Sequence, residues 1–257
     1  MSNSLLFIPP AINVIVTGLF AGVILRQYIG RHRPYQLYWS IALGMAFLAT
    51  LFYIGMITVQ PTSNTGILLF RLYYILGGAL VPAWLGLGSI ALVSRPRITR
   101  ACLIGLSILS VLAAILIFQA GVDMIKLNQI AGTPGTGILQ PELGLWLVAI
   151  ITLNTLGVVA VVGVALYSGW KLARRQSSIG GIRTGNLLWT NIFVLTGAIL
   201  DGVAGGLARF LGIQSTFWLI MAVGWSVLFA GVLLASRRSS IVRQPEVQDE
   251  SVQLLKS

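Results

Sequence analysis

Asp201 and Arg71 are the residues of this 257-residue chain whose types and settings hold the most chemistry. Asp201 is the one acidic side chain well inside an apolar stretch, Gly197-Ala198-Ile199-Leu200-Asp201-Gly202. A carboxylate in hydrocarbon costs roughly 2.5–3.5 kcal/mol on insertion scales, so Asp201 is expected to face an interior and to have a partner. Arg71, in Leu69-Phe70-Arg71-Leu72-Tyr73-Tyr74, falls at a similar depth by residue count. The expectation is an Arg71–Asp201 ion pair between two helices, acting either as a fixed clamp or as a site for a proton, an ion or a charged ligand group. Arg209 lies too far along the chain from Asp201 to bond it directly and is expected to snorkel to the interface. Pro82, in Val81-Pro82-Ala83-Trp84, withdraws a backbone donor and frees the carbonyl of Gly78. That predicts a kink in mid-helix beside Trp84, lining a pocket or closely packed.

Other polar groups inside apolar stretches are Asn13, Asn154 and Asn191, expected to hydrogen-bond across helices. Ala198, Gly202, Gly205 and Gly206 form a small-residue face suited to helix approach. Little else points to catalysis. His32 is the only histidine and sits among arginines, which excludes a haem held by two histidines. Cys102 has no second cysteine to pair with, and no clustered metal ligands, paired carboxylates, nucleophile elbow or phosphate loop occurs. The expectation is therefore a protein that is not an enzyme and carries no cofactor.

The elements that must position these residues are seven apolar stretches, near 6–26, 38–58, 67–93, 101–121, 143–169, 187–208 and 215–236. Each is close to the ~20 residues that cross a bilayer as a helix. With 56% hydrophobic and 9% charged residues, the chain lacks the charged surface of a soluble domain. The reading is an all-α, polytopic seven-transmembrane-helix bundle over 1–238 in a prokaryotic plasma membrane, with a disordered cytoplasmic tail over 239–257.

The net charge of +11 is a matter of orientation, not of nucleic-acid binding, for which no soluble domain is present. Arg26, Arg31 and Arg33 follow the first stretch; Arg95, Arg97 and Arg100 follow the third; Lys171, Arg174, Arg175 and Arg183 follow the fifth; four more basic residues lie in the tail. The second gap has no basic residue and the fourth only Lys126, so the N-terminus is expected outside and the C-terminus in the cytoplasm. The uncharged start of the chain, with Pro9-Pro10, does not read as a cleaved signal peptide, so the first span is expected to be retained.

The fourth gap, 122–142, is the one long connection. Its Ala131-Gly132-Thr133-Pro134-Gly135-Thr136-Gly137 predicts irregular or mobile structure, a connector with room for a binding surface. Trp39, Trp170 and Trp189 are expected at the cytoplasmic interface, Trp146 and Trp218 at the outer one, and Trp84 and Trp225 deeper.

Seven helices with an outside N-terminus resemble the outline of microbial rhodopsins, but the last stretch, Phe217 to Ser236, has no lysine to hold retinal. Leu37-Tyr38-Trp39, Phe70-Arg71-Leu72-Tyr73-Tyr74-Ile75-Leu76-Gly77-Gly78 and Pro82-Ala83-Trp84-Leu85-Gly86-Leu87-Gly88 look like an uncharacterised family of bacterial seven-helix membrane proteins. That resemblance covers mainly helices two and three and implies the fold and no activity. Two functions follow as expectations. One is a non-catalytic membrane subunit or scaffold with partner membrane proteins or further copies of itself. The other is a sensor or carrier with a site near Arg71, Asp201, Trp84 and Pro82.

Overall fold

The computed structural model describes residues 7–176 and 183–236, with backbone alone at 172, 173, 175, 176, 183–188, 190, 191, 235 and 236. The expected tail and the side chain of Asn191 lie outside the described residues. Among the described residues the fold is all-α apart from one strand pair of two residues each, and seven helical runs are long and apolar enough to cross a membrane. They are α1 (Ile8–Arg31), α2 (Pro34–Val59), a third run from Asn64 to Val93, α5 (Pro96–Gln119), α7 (Leu145–Gln176), α8 (Arg183–Phe210) and α9 (Phe217–Ser236). Several begin on proline, whose missing N–H costs nothing in a first turn: Pro34 opens α2 and Pro96 opens α5.

The third run is built in three pieces, α3 (Asn64–Tyr73), a π-helical segment (Tyr74–Leu80) and α4 (Val81–Val93). Ser63 caps its start, the hydroxyl accepting from the Gly66 amide at 3.0 Å. The expected disturbance at Pro82 takes the form of this π-helical segment. Ahead of the proline the ladder has already slipped by one residue, the Val81 amide donating to Leu76. The Gly78 carbonyl, which Pro82 cannot serve, accepts instead from the Asn154 side chain of α7 at 3.0 Å. A polar side chain in an apolar neighbour thus repairs the break that proline makes.

Packing joins α1 to α2, α2 to the third run, the third run to α7, α7 to α8, α8 to α9 and α9 back to α1. Six runs close a ring, and α5 stands outside it against α4, the π-helical segment and α7. Asn13 fastens the closure, donating from α1 to the Trp218 carbonyl of α9 at 3.1 Å. Two apolar cores fill the interior. The one nearer the 120–144 connection gathers Tyr53, Phe70, Tyr73, Ile117, Trp146, Leu153 and Trp218; the other gathers Phe20, Ile24, Leu43, Val81, Trp225 and Leu228. Large apolar side chains such as Ile15, Ile108, Val159 and Leu219 cover the outside, as a lipid-facing surface requires.

The connection between α5 and α7 is irregular over 131–137, as its turn chemistry predicts, and has regular elements on either side. It folds into a compact cap: β1 (Gly121–Val122) pairs antiparallel with β2 (Leu139–Gln140), and α6 (Met124–Asn128) is capped by the Asp123 carboxylate, which accepts from Ile125 and Lys126. Leu127, Ile130, Ile138 and Leu139 turn down into the first core. Glycine is required at Gly135, where φ is +76° and a Cβ would meet the Ile130 and Phe70 side chains at 2.8 and 3.1 Å.

Candidate functional site

The four residues singled out by sequence do not converge. Arg71 donates to the Ala120 carbonyl at the end of α5 at 3.0 Å and lies 5.7 Å from the centre of the Phe118 ring. Asp201 sits in the seam between α8 and α9, with its Oδ1 over Gly224 and no hydrogen-bond partner. The expected ion pair is therefore absent. Its two helices are not packing neighbours, because α7 stands between the third run and α8. Side chains also lean toward the N-terminus of their own helix, which carries Arg71 toward the cap and Asp201 away from it. Among the described residues the one ion pair is Lys126–Glu142, in the cap.

Pro82 and Trp84 have different neighbours again. Gly157 of α7 lies against the Pro82 backbone so closely that a Cβ there would overlap the Pro82 carbonyl and fall 2.6 Å from the Ala83 nitrogen. The contact on that side is close packing. Trp84 packs on the first core with its indole N–H buried and unpartnered.

What the fold does bring together is an aromatic nest under the cap. Tyr53 comes from α2, Phe70 and Tyr73 from α3, Trp146 from α7 and Trp218 from α9; the Tyr53 and Trp218 ring centres are 4.3 Å apart. A phenol or indole buried in apolar surroundings needs a partner for its polar end. Here the partners are cap backbone. The Tyr53 hydroxyl donates to the Ile130 carbonyl at 3.1 Å and accepts from the Gly132 amide at 2.9 Å. Tyr73 donates to the Pro134 carbonyl at 3.1 Å and the Trp218 indole to Thr133 at 3.3 Å. Three helices thus hold four of the five cap residues 130–134.

The rim is polar. Arg209 donates to the Glu142 carbonyl at 3.2 Å and lies 5.5 Å from the Trp146 ring centre, while Thr136 donates to the Ala208 carbonyl at 3.3 Å. Arg209 reaches the loop end of its helix, as snorkelling requires, and there it binds protein. Lys126 and Glu142 pair at 2.8 Å in solvent. The hydrogen bond and charge of Lys126 hold the Glu142 carboxyl below its ordinary range, and those of Glu142 hold Lys126 above its own. Trp146 and Trp218 are 2% and 4% exposed, so they belong to the core and not to the interfacial belt expected of them. Their indoles are consumed by Pro141 and Thr133 of the cap. Trp170 and Trp189 are exposed and Trp225 is buried, as expected.

The nest offers no nucleophile beside a base, and no three His, Cys, Asp or Glu side chains come together among the described residues. Its chemistry is hydrogen bonding to a loop. Sequence reasoning missed Tyr53 and Tyr73, although phenols within apolar helices and a turn-rich loop with unpaired backbone groups are complementary needs. Comparison with known proteins finds no matching family model, no similar curated protein and no similar solved structure.

Proposed function

We propose that this chain is a multi-pass protein of a prokaryotic plasma membrane, N-terminus outside, serving as a non-catalytic subunit or scaffold of a membrane assembly. One observation carries the reading: six polar side chains of the interior are committed to the chain's own backbone. Tyr53, Tyr73, Trp218, Arg71, Asn13 and Asn154 each serve a carbonyl of the same molecule. A ligand entering there has to compete with all of them. Small-residue surfaces offer places for partner helices. A groove of about 450 Å³ between α1 and α2 is lined by Gly18, Gly22 and Gly44, and nothing lies within 4 Å of a Cβ built at Gly202, Gly205 or Gly206 of α8. Native mass spectrometry of gently solubilised membranes tests this. A stoichiometric protein partner or a homo-oligomer is the expected result, and a lone chain carrying a small molecule overturns it.

A sensor or carrier is the second reading. It is favoured by Asp201, whose Oδ1 is buried without a donor. Arg71, engaged at Ala120, is no longer part of that site.

A further inference from the structure

Asp201 stands in an environment of acceptors. Its Oδ1 lies over Gly224, where the absence of a side chain leaves a notch. The Gly197 carbonyl oxygen borders the same notch, 3.2 Å from the position a Gly224 Cβ would take. Across the seam the Gly224 carbonyl comes within 2.8 Å of the corresponding position on Gly197. Three oxygens therefore line this approach of α8 and α9; the two carbonyls belong to their own helices' hydrogen-bond ladders, and no donor reaches the buried Oδ1 of the half-buried Asp201. No charged group faces them either. Helix α9 has no charged residue from Phe217 to Ser236, α7 has none from Leu145 to Trp170, α1 has none before Arg26, and Arg209 is tied to Glu142 and Trp146 at the cap. A carboxylate can only accept hydrogen bonds, whereas a carboxylic acid can also donate one. An acceptor-only notch in an apolar seam suits the acid and penalises the anion.

We propose that Asp201 is a membrane-embedded proton-binding site, its carboxyl group holding an exchangeable proton in the notch over Gly224. The site goes beyond the scaffold reading and does not depend on whether a partner protein is found. A binding step here moves one proton between the carboxyl oxygen and water, and no electrons.

The test treats sealed membranes containing the full chain at neutral pH with an apolar carbodiimide, which adds across a protonated carboxyl, and maps the adduct by peptide mass spectrometry. A separate sample receives a charged, water-soluble carbodiimide. The expected result is stoichiometric modification of Asp201 by the apolar reagent only, and no adduct at this position in Asp201→Asn. In the infrared spectrum, wild-type protein should show a protonated-carboxyl carbonyl band that Asp201→Asn lacks. An unmodified Asp201 with no such band overturns the proposal; so does protection by sodium at constant ionic strength, which would make the ligand a metal cation. Should Asp201→Asn fail to fold, modification and the infrared band of the wild-type chain still decide the question.

Discussion

Tyr53 does more for the cap than any other single side chain, because its hydroxyl both donates and accepts within residues 130–132. Tyr53→Phe keeps the ring against Trp218 and orphans the Gly132 amide, while the Ile130 carbonyl keeps its bonds from Thr133. A loss of about 1–3 kcal/mol is expected, the cost of a buried group left unpaired. Thermal unfolding in detergent measures it, and faster amide exchange confined to 130–135 locates it. The Lys126–Glu142 pair has a different signature. Glu142, held below its ordinary range, contributes above the unfolded carboxyl value and loses that contribution as the pH falls through its folded value. Lys126, held above its range, contributes below the unfolded lysine value and loses it as the pH rises through its own. The pair is accordingly intact between roughly pH 4 and pH 10. Exchange at 137–142 should quicken outside that window in wild type and show no such edges in Glu142→Gln. The Arg71–Asp201 expectation failed at this same scale for a definite reason. Counting residues along a helix fixes depth in the membrane, but not azimuth or which helices are neighbours.

Among the elements, the third run shows how an apolar helix carries a proline in its middle. Asn154 supplies the Gly78 carbonyl with the donor that Pro82 lacks, so the two residues should be energetically coupled. Asn154→Leu is expected to cost about 1–3 kcal/mol. In the Pro82→Ala background, where an amide is restored four residues from Gly78, the same change should cost distinctly less. A double-mutant cycle on unfolding free energies reads the difference directly. The contact beneath Pro82 makes a sharper contrast. Gly157→Ala places a methyl group against Pro82 backbone and should lose about 1–3 kcal/mol by overpacking, while Gly163→Ala on the same helix meets nothing within 4 Å and should gain up to about 1 kcal/mol of helix propensity.

Elements of this kind are readable from sequence where hydrocarbon leaves one solution. Each of the seven expected stretches coincides with a helical run, and Asn13 and Asn154 bond across helices, as expected of polar groups in an apolar interior. The cap was not readable in the same way. Gly-Thr-Pro-Gly composition is shared by mobile loops and by docked ones, and the deciding partners, Tyr53, Tyr73 and Trp218, lie on other helices.

At the scale of the whole molecule, the cap and the basic turns lie at opposite ends of the helices, and the proposed orientation puts the cap outside. Cys102, the one thiol, lies beside the basic turn after α4 and should resist a membrane-impermeant maleimide applied to intact cells, whereas Gln140→Cys in the cap should react. The opposite pattern would invert the topology.

The closed ring also has a consequence in time. The bond that fastens it joins residues 205 apart, Asn13 in the first helix made and Trp218 in the last. At ~5–20 residues per second of synthesis, and in the proposed membrane setting, α1 waits on the order of 10–40 s with its Asn13 amide unmatched by α9. Throughout that interval the nascent chain is an open arc with an unclaimed polar edge. A lipid headgroup, an insertase or a neighbouring chain can occupy that edge until the seventh helix arrives to displace it.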